Sequence, residues 1–234
     1  RTKSCTYAIA LLVAIGFASP SMAGSSDFSG IWVALHAEMN VVAIDGSSTT
    51  AGQGVTVAGT GGSDNDEITQ GTIGGFAPTA GYEVGFNLPL GPVFFVTLGL
   101  ADGGSGRAKL AQLENSNDVV NNADVTLNAS DPTWYYIAPS ISIFDNSAIY
   151  VKFGQAQSDL KAEGDVTGAP GNIDGDMWGI GTTSIANNGL FFKTEAGFIQ
   201  YDPFSITGIG GTGTNSTDNK VEGNPAVGYG HVSI

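Results

Sequence analysis

Apolar and polar residues alternate with a period of two along most of the chain from residue 24 onward. Because successive side chains of a strand point to opposite faces, this alternation predicts β-strands. No stretch of this region keeps apolar residues at helical spacing. The sequence therefore predicts an all-β fold with eight strands, at 28–40, 76–89, 93–104, 133–143, 148–160, 175–185, 189–204 and 225–234.

The two faces of these strands differ in composition. In the first strand Ile31, Val33 and Leu35 share one face, whereas His36 and Glu38 share the other. A sheet face in water usually carries dense charge, but the polar face here carries many Gly, Ala and Ser with isolated charges. Small residues of this kind suit the crowded interior of an eight-stranded barrel. The pattern therefore predicts apolar faces toward lipid and polar faces toward a narrow lumen.

The lengths of the connections between the strands support this interpretation. They alternate between long or intermediate (41–75, 105–132, 161–174, 205–224) and short (89–92, 144–147, 186–188). Outer-membrane barrels have long extracellular loops and short periplasmic turns. The sequence thus predicts an antiparallel, up-and-down transmembrane β-barrel of eight strands.

Residues 1–23 have the zones of a secretory signal peptide. Arg1 and Lys3 form a basic start, Tyr7 to Ala18 form an apolar stretch, and Ser21-Met22-Ala23 resembles a cleavage site. A buried N-terminal helix is the alternative. We expect a signal peptide at 1–23, followed by one barrel domain at 24–234.

Charge and cysteine content exclude several classes of protein. The formal charge is −14, and removing Arg1 and Lys3 leaves 6 basic against 22 acidic residues, or −16. Nucleic acid is excluded as a partner, because phosphate binding needs clustered Lys and Arg. The only cysteine, Cys5, lies in the predicted signal segment. The remaining chain cannot form disulfides or cysteine-ligated metal sites.

Three features together resemble the eight-stranded outer-membrane barrel families, such as the transmembrane domain of outer-membrane protein A and the opacity-protein adhesins. They are the signal segment and the segments Tyr82–Phe86 and Leu190–Tyr201. The resemblance implies the bacterial outer membrane as location, insertion by the barrel assembly machinery, and contact with outer-membrane lipid and lipopolysaccharide. Such families usually end in an aromatic residue, whereas this chain ends at Ile234. We therefore expect the chain to be truncated at its C-terminus.

One set of charged and imidazole side chains is predicted to face the lumen. Opposite charges in so narrow a space lie near enough to pair, and an unpaired one is costly. Two roles are open: a structural plug of ion pairs, or the lining of a narrow or gated pore. The set comprises His36, Glu38, Glu83, Lys152, Lys193 and Glu195.

Two acidic segments are weak candidates for binding Ca²⁺, which prefers six to eight oxygen ligands. They contain Asp64, Asp66 and Glu67 in one segment and Asp174 and Asp176 in the other. Neither matches the full calcium-loop pattern, and solvated loops are the alternative. The sequence predicts no metal site and no cofactor.

A catalytic alternative rests on His231 and Ser233, which resemble the His-x-Ser of outer-membrane lipid A deacylases. Those enzymes also need an acidic residue on a later strand, and no residue follows Ile234. We therefore expect no enzyme.

Three functions remain open: a non-enzymatic barrel with a structural or surface-interaction role, a narrow porin-like channel, and a secreted soluble binding protein with a lipocalin-like barrel or β-sandwich. The sequence identifies no extracellular partner and no conducted solute.

Overall fold

The computed structural model describes residues 24–50, 67–104, 108–113, 125–144, 146–164, 168–208 and 219–234. A short 3-10 turn at Ser25–Phe28 precedes ten strands. The strands are β1 (Gly30–Thr50), β2 (Glu67–Pro89), β3 (Phe94–Asp102), β4 (Ala108–Leu113), β5 (Val125–Phe144), β6 (Ser147–Gly164), β7 (Gly168–Ile185), β8 (Phe191–Tyr201), β9 (Phe204–Gly208) and β10 (Asn219–Ser233). Among the described residues, no helix is long and apolar enough to cross a membrane.

The strands form one closed antiparallel ring with eight positions. Both β3 and β4 pair with β5, so they occupy one position, and β8 and β9 share another beside β10. The ring closes because β10 also pairs with β1. All neighbours are antiparallel. The predicted eight-stranded up-and-down barrel is confirmed.

The strands are staggered around the ring. A path of directly paired residues that starts at Val33 returns to β1 at Ala43, ten residues further along the strand. The path runs through Val84, Leu100, Tyr135, Gln155, Asp176, Gln200 and Ala226. A stagger of this kind tilts the strands by about 40° from the barrel axis.

Side-chain orientation near the short connections follows the alternation in the sequence. Leu35 and Leu98 point outward and are 69% and 52% exposed, whereas Glu83 and Lys152 point inward and are 0% and 3% exposed. We call the half of the barrel next to the connections at 90–93, 145–146 and 186–190 the turn half. The opposite half, where β1 and β2 extend to Thr50 and Glu67, is the loop half.

The loop half corrects the predicted strand ends. The predicted loop 41–75 is largely strand, and only 165–167 separates β6 from β7 where 161–174 was predicted to be loop. The strand β4 was not predicted either. Backbone pairing continues through these segments although their residue pattern changes, so a search for alternating apolar residues ends too early.

Candidate functional site

The barrel interior is layered along its axis. At the turn half, Phe28 stacks on Phe95 with ring centroids 5.0 Å apart, and Ala148 packs beside them. A layer of charged and tyrosine side chains follows. Beyond it, the loop half is filled by apolar residues such as Leu160 and Ile199. The candidate site is the charged layer between these two apolar layers.

Glu83 on β2 is the first centre of the charged layer. The ammonium of Lys193, from β8, donates to both carboxylate oxygens at 2.9 and 3.0 Å. The hydroxyl of Tyr136 also donates to Glu83, and that of Ser233 does so at 3.3 Å. Several donors therefore compensate a carboxylate that has no solvent exposure.

Glu195 on β8 is the second centre. Lys152 from β6 lies 2.6 Å from one carboxylate oxygen. Tyr150 and Tyr229 donate hydroxyl hydrogen bonds at 2.8 and 2.7 Å to the two oxygens. The side chains come from three different strands, so this centre ties together β6, β8 and β10 across the lumen.

His231 connects the first centre to Glu38. Its Nδ1 lies 3.2 Å from Glu38 Oε2, and its Nε2 lies 3.7 Å from Glu83 Oε2. The layer thus contains three buried carboxylates and two ammonium groups. The imidazole of His231 lies between the carboxylates of Glu38 and Glu83. An imidazolium at His231 makes positive and negative charges equal in number.

The aromatic rings of this layer lie against glycines. Tyr136 and Tyr150 are paired across the sheet with Gly99 and Gly181, and any Cβ at these glycines would lie 2.1 and 2.4 Å from the tyrosine ring carbons. The ammonium of Lys152 lies 4.5 Å from the centre of the Tyr136 ring. Glycine on one strand therefore makes room for a ring on the next, and the ring in turn supports a cation.

The structure places all six predicted lumen residues in the interior. Five of them belong to the connected network. His36 stands beside it, with its ring 4.9 Å from that of His231 and 5.6 Å from that of Trp134. Neither ring nitrogen of His36 has a hydrogen-bond partner among the described residues.

The hydroxyl donors of the network were not among the predicted lumen residues. Tyr136, Tyr150 and Tyr229 point inward on their strands, so alternation alone was a usable signal for them. Their buried hydroxyls show that they serve as donors to carboxylates.

His231 and Ser233 also require a correction. The expected lack of an acidic partner is wrong, because ring closure pairs His231 directly with Glu38. Nε2 of His231 lies 3.3 Å from the Ser233 oxygen, which gives a serine, histidine and carboxylate arrangement. Ser233 is nevertheless buried in the lumen, and its hydroxyl donates to Glu83. The arrangement lacks the substrate access that nucleophilic catalysis needs.

The weak calcium candidates do not form a cluster in the part of the chain that the structure describes. Asp174 and Asp176 are exposed on the outer face of β7, where Asp174 accepts a 2.7 Å hydrogen bond from Gln157. Asp64, Asp66 and the side chain of Glu67 lie outside the described residues. Within the described chain no three His, Cys, Asp or Glu residues are placed to share a metal ion.

No protein-family model and no curated protein matches the chain. Among solved structures it is similar to Ail, the attachment invasion locus protein of Yersinia pestis. The complex of Ail with the heparin analogue sucrose octasulfate is 11% identical, with 85% of this chain and 98% of Ail covered and a TM-score of 0.34. A second Ail structure is 10% identical, with 87% and 99% covered and a TM-score of 0.32.

The secretin InvG of the Salmonella injectisome is a further neighbour, 10% identical, with 87% of this chain and 61% of that one covered and a TM-score of 0.23. None of these similarities identifies a family. The strand registers themselves show that the chain is a closed antiparallel β-barrel with eight positions.

Proposed function

We propose that this chain is a non-enzymatic β-barrel of the bacterial outer membrane with a structural or surface-interaction role. One observation carries the proposal: in the turn half each of the eight strand positions of the ring exposes large apolar side chains on its outer surface. Large apolar side chains are exposed there although each one left in water costs roughly 1.5–3 kcal/mol. A continuous belt of this size marks a surface that meets something apolar.

The belt runs around the whole ring. Its exposed members are Ile31, Val33, Leu35, Phe86, Leu88, Leu98, Leu100, Ile137, Ile149, Ile180, Phe192 and Val232. In hydrocarbon every backbone donor and acceptor must be paired, and a closed ring of strands satisfies this condition. Outer-membrane lipid and lipopolysaccharide are the proposed contacts of this belt, and the barrel assembly machinery is the proposed route of insertion.

The barrel interior favours a closed barrel rather than an open channel. The layer around Glu83 and Glu195 crosses the lumen with direct contacts between side chains from strands that are not neighbours in the ring. An eight-stranded barrel has an interior just wide enough for its own side chains. Ion flow through the lumen would require these pairs to separate, so the network acts as a plug.

A soluble lipocalin-like barrel would need the opposite arrangement in the turn half. Its exterior would be polar and its interior apolar. The charged layer of this chain instead lies inside the same half that exposes Leu35 and Leu98 to the outside. The arrangement favours the membrane barrel.

Three measurements on the full chain test the proposal. We expect the protein in the outer-membrane fraction, a faster-migrating folded band on gels without heating, and no conductance steps in planar bilayers. A soluble fraction without a migration shift would exclude the membrane role. Resolved conductance steps from the folded band would replace the plug with a channel.

A further inference from the structure

The outer surface of the loop half is polar over most of the ring. The outward residues that first carry a carboxylate or carboxamide are Asp102 on β3, Gln155 on β6, Asp176 on β7 and Gln200 on β8. Asp176 is directly paired with both Gln155 and Gln200, so these three groups form a continuous line, and Asp102 lies at a similar height on β3. The line marks the upper edge of the apolar belt.

The surface of β1 and β2 does not follow this line. Residues at equal height on neighbouring strands are offset from directly paired residues, and these offsets add up to ten residues around the ring. With an equal share of the offset at each of the eight positions, the line crosses β1 near Met39. Outward residues beyond that point remain apolar as far as Ala43 on β1 and Phe76 on β2. They rise about 10 Å above the line, from the residue spacing and strand tilt. We call Met39, Val41, Ala43, Phe76 and Pro78 the β1–β2 strip.

Both faces of the sheet are largely apolar at the strip, although the inner face also holds the buried amide of Asn40, which donates to the backbone oxygen of Ala77. Val42 and Ile44 are buried inside, whereas Val41 is 50% and Phe76 is 74% exposed outside. Strands that read as continuous apolar runs are typically covered on both faces. The interior covers one face of this sector, and the described chain leaves the other uncovered.

Directly below the strip the outward residues are small. Ala37 and Ala80 lie on β1 and β2, and Gly228 and Gly230 lie on the adjacent β10. Small side chains let two membrane-embedded surfaces approach closely. The same sector is therefore flat within the belt and apolar above it.

We propose that the β1–β2 strip and the small residues below it bind a second copy of this chain. The inference rests on the proposed membrane location. Lipid covers the sector only up to the polar line, whereas the occupant must be apolar both below that line and above it. A copy inserted in the same membrane in the same orientation presents an identical face at matching heights, related by a two-fold axis along the membrane normal.

The distribution of surface charge favours contact between two copies through this sector and not through the rest of the loop half. Contact through β7 brings Asp174 and Asp176 of one copy toward the acidic surface of the other, which is unfavourable. The outward residues of the strip carry no charge up to Asp45. Copies approach most easily where the surface is neutral and apolar.

Crosslinking in lipid vesicles tests the proposal. The full chain with Cys5→Ser is given one cysteine, either Val41→Cys in the strip or Gln157→Cys, which lies at a similar height on β6 and also faces outward. A short bis-maleimide is added at low protein-to-lipid ratio. We expect about ten-fold more crosslinked dimer from Val41→Cys, because a specific two-fold contact holds that position near its copy.

A second variant distinguishes a specific contact between two copies from crosslinking by random collision. Phe76→Asp, combined with Val41→Cys, is expected to reduce the dimer to the level of Gln157→Cys while the heat-modifiable folded band remains. Equal crosslinking at Val41→Cys and Gln157→Cys, or a folded, inserted chain with no dimer at either site, overturns the second-copy proposal alone. A chain that does not enter vesicles overturns the proposed membrane function as well.

Discussion

The turn half and the loop half of this barrel have opposite polarity on one continuous backbone. In the turn half Leu98 faces outward and Glu83 inward, whereas in the loop half Asp176 faces outward and Leu160 inward. Strand pairing continues from one half into the other along β1 and β2 and along β6 and β7. Backbone hydrogen bonding thus determines the ring, and side-chain polarity determines which medium each half tolerates.

The two halves are stabilised by different interactions. The interior of the loop half is an apolar core in which Leu160 has no solvent exposure, so the hydrophobic effect stabilises it as in a soluble protein. In the turn half most large apolar side chains face outward. The stability of its interior therefore depends largely on ion pairs between buried charges. Substitutions in the two halves should therefore differ in cost and in mechanism.

Loss of a buried ion-pair partner has the largest expected effect. Lys193→Ala leaves Glu83 buried without its main cation, and breaking such a pair costs about 3–5 kcal/mol. Lys161→Ala on the outward face of β6 is the matched control, with an expected change below about 0.5 kcal/mol. Denaturant unfolding of the protein in vesicles, followed by the heat-modifiable band, gives both values.

A double variant identifies the cause of this loss. Lys193→Ala with Glu83→Gln removes the uncompensated charge, so we expect it to be more stable than Lys193→Ala alone. Equal stability of the single and double variants would show that Lys193 acts through packing, and a loss no larger than that of Lys161→Ala would contradict the plug.

A charge introduced on the outer surface is expected to destabilise the protein in the turn half but not in the loop half. Leu98→Arg places a cation near the middle of the belt, where such a change costs about 2–4 kcal/mol in a membrane barrel. Gln157→Arg, above the polar line, should change the free energy of unfolding by less than about 0.5 kcal/mol. If unfolding in vesicles shows equal costs at both positions, the outer surface of the turn half does not meet lipid.

The sequence predicted the turn half well because most outward strand positions there are apolar, with Thr182 and Thr194 as exceptions, and the charged strand residues point inward. Alternation therefore located eight strands and placed Glu83 and Lys152 on the inner face. The loop half was predicted poorly for the same reason. Its polarity inverts, so strands such as β6 and β7 continue where the membrane pattern stops.

The inward placement of the carboxylates and ammonium groups was predictable, but their contacts were not. Lys193 and Glu83 are 110 residues apart in sequence, and their meeting depends on the ten-residue stagger of the ring. The pairing of His231 with Glu38 likewise exists only because the last strand closes on the first. Register between distant strands depends on all intervening pairs, and local alternation does not determine it.

The smallest of these effects tests the fit of rings against glycines in the turn half. Gly99→Ala places a Cβ 2.1 Å from Cζ of Tyr136, whose hydroxyl is held by Glu83 and whose ring supports Lys152. The ring cannot move without disturbing both contacts, so overpacking should cost about 1–3 kcal/mol. Gly91→Ala in the turn between β2 and β3 is the control, because a Cβ there meets no atom within 4 Å. Unfolding in vesicles should show a loss only for Gly99→Ala, and equal stability of the two variants would mean that the Tyr136 ring is free to move and that the charged layer is loosely packed.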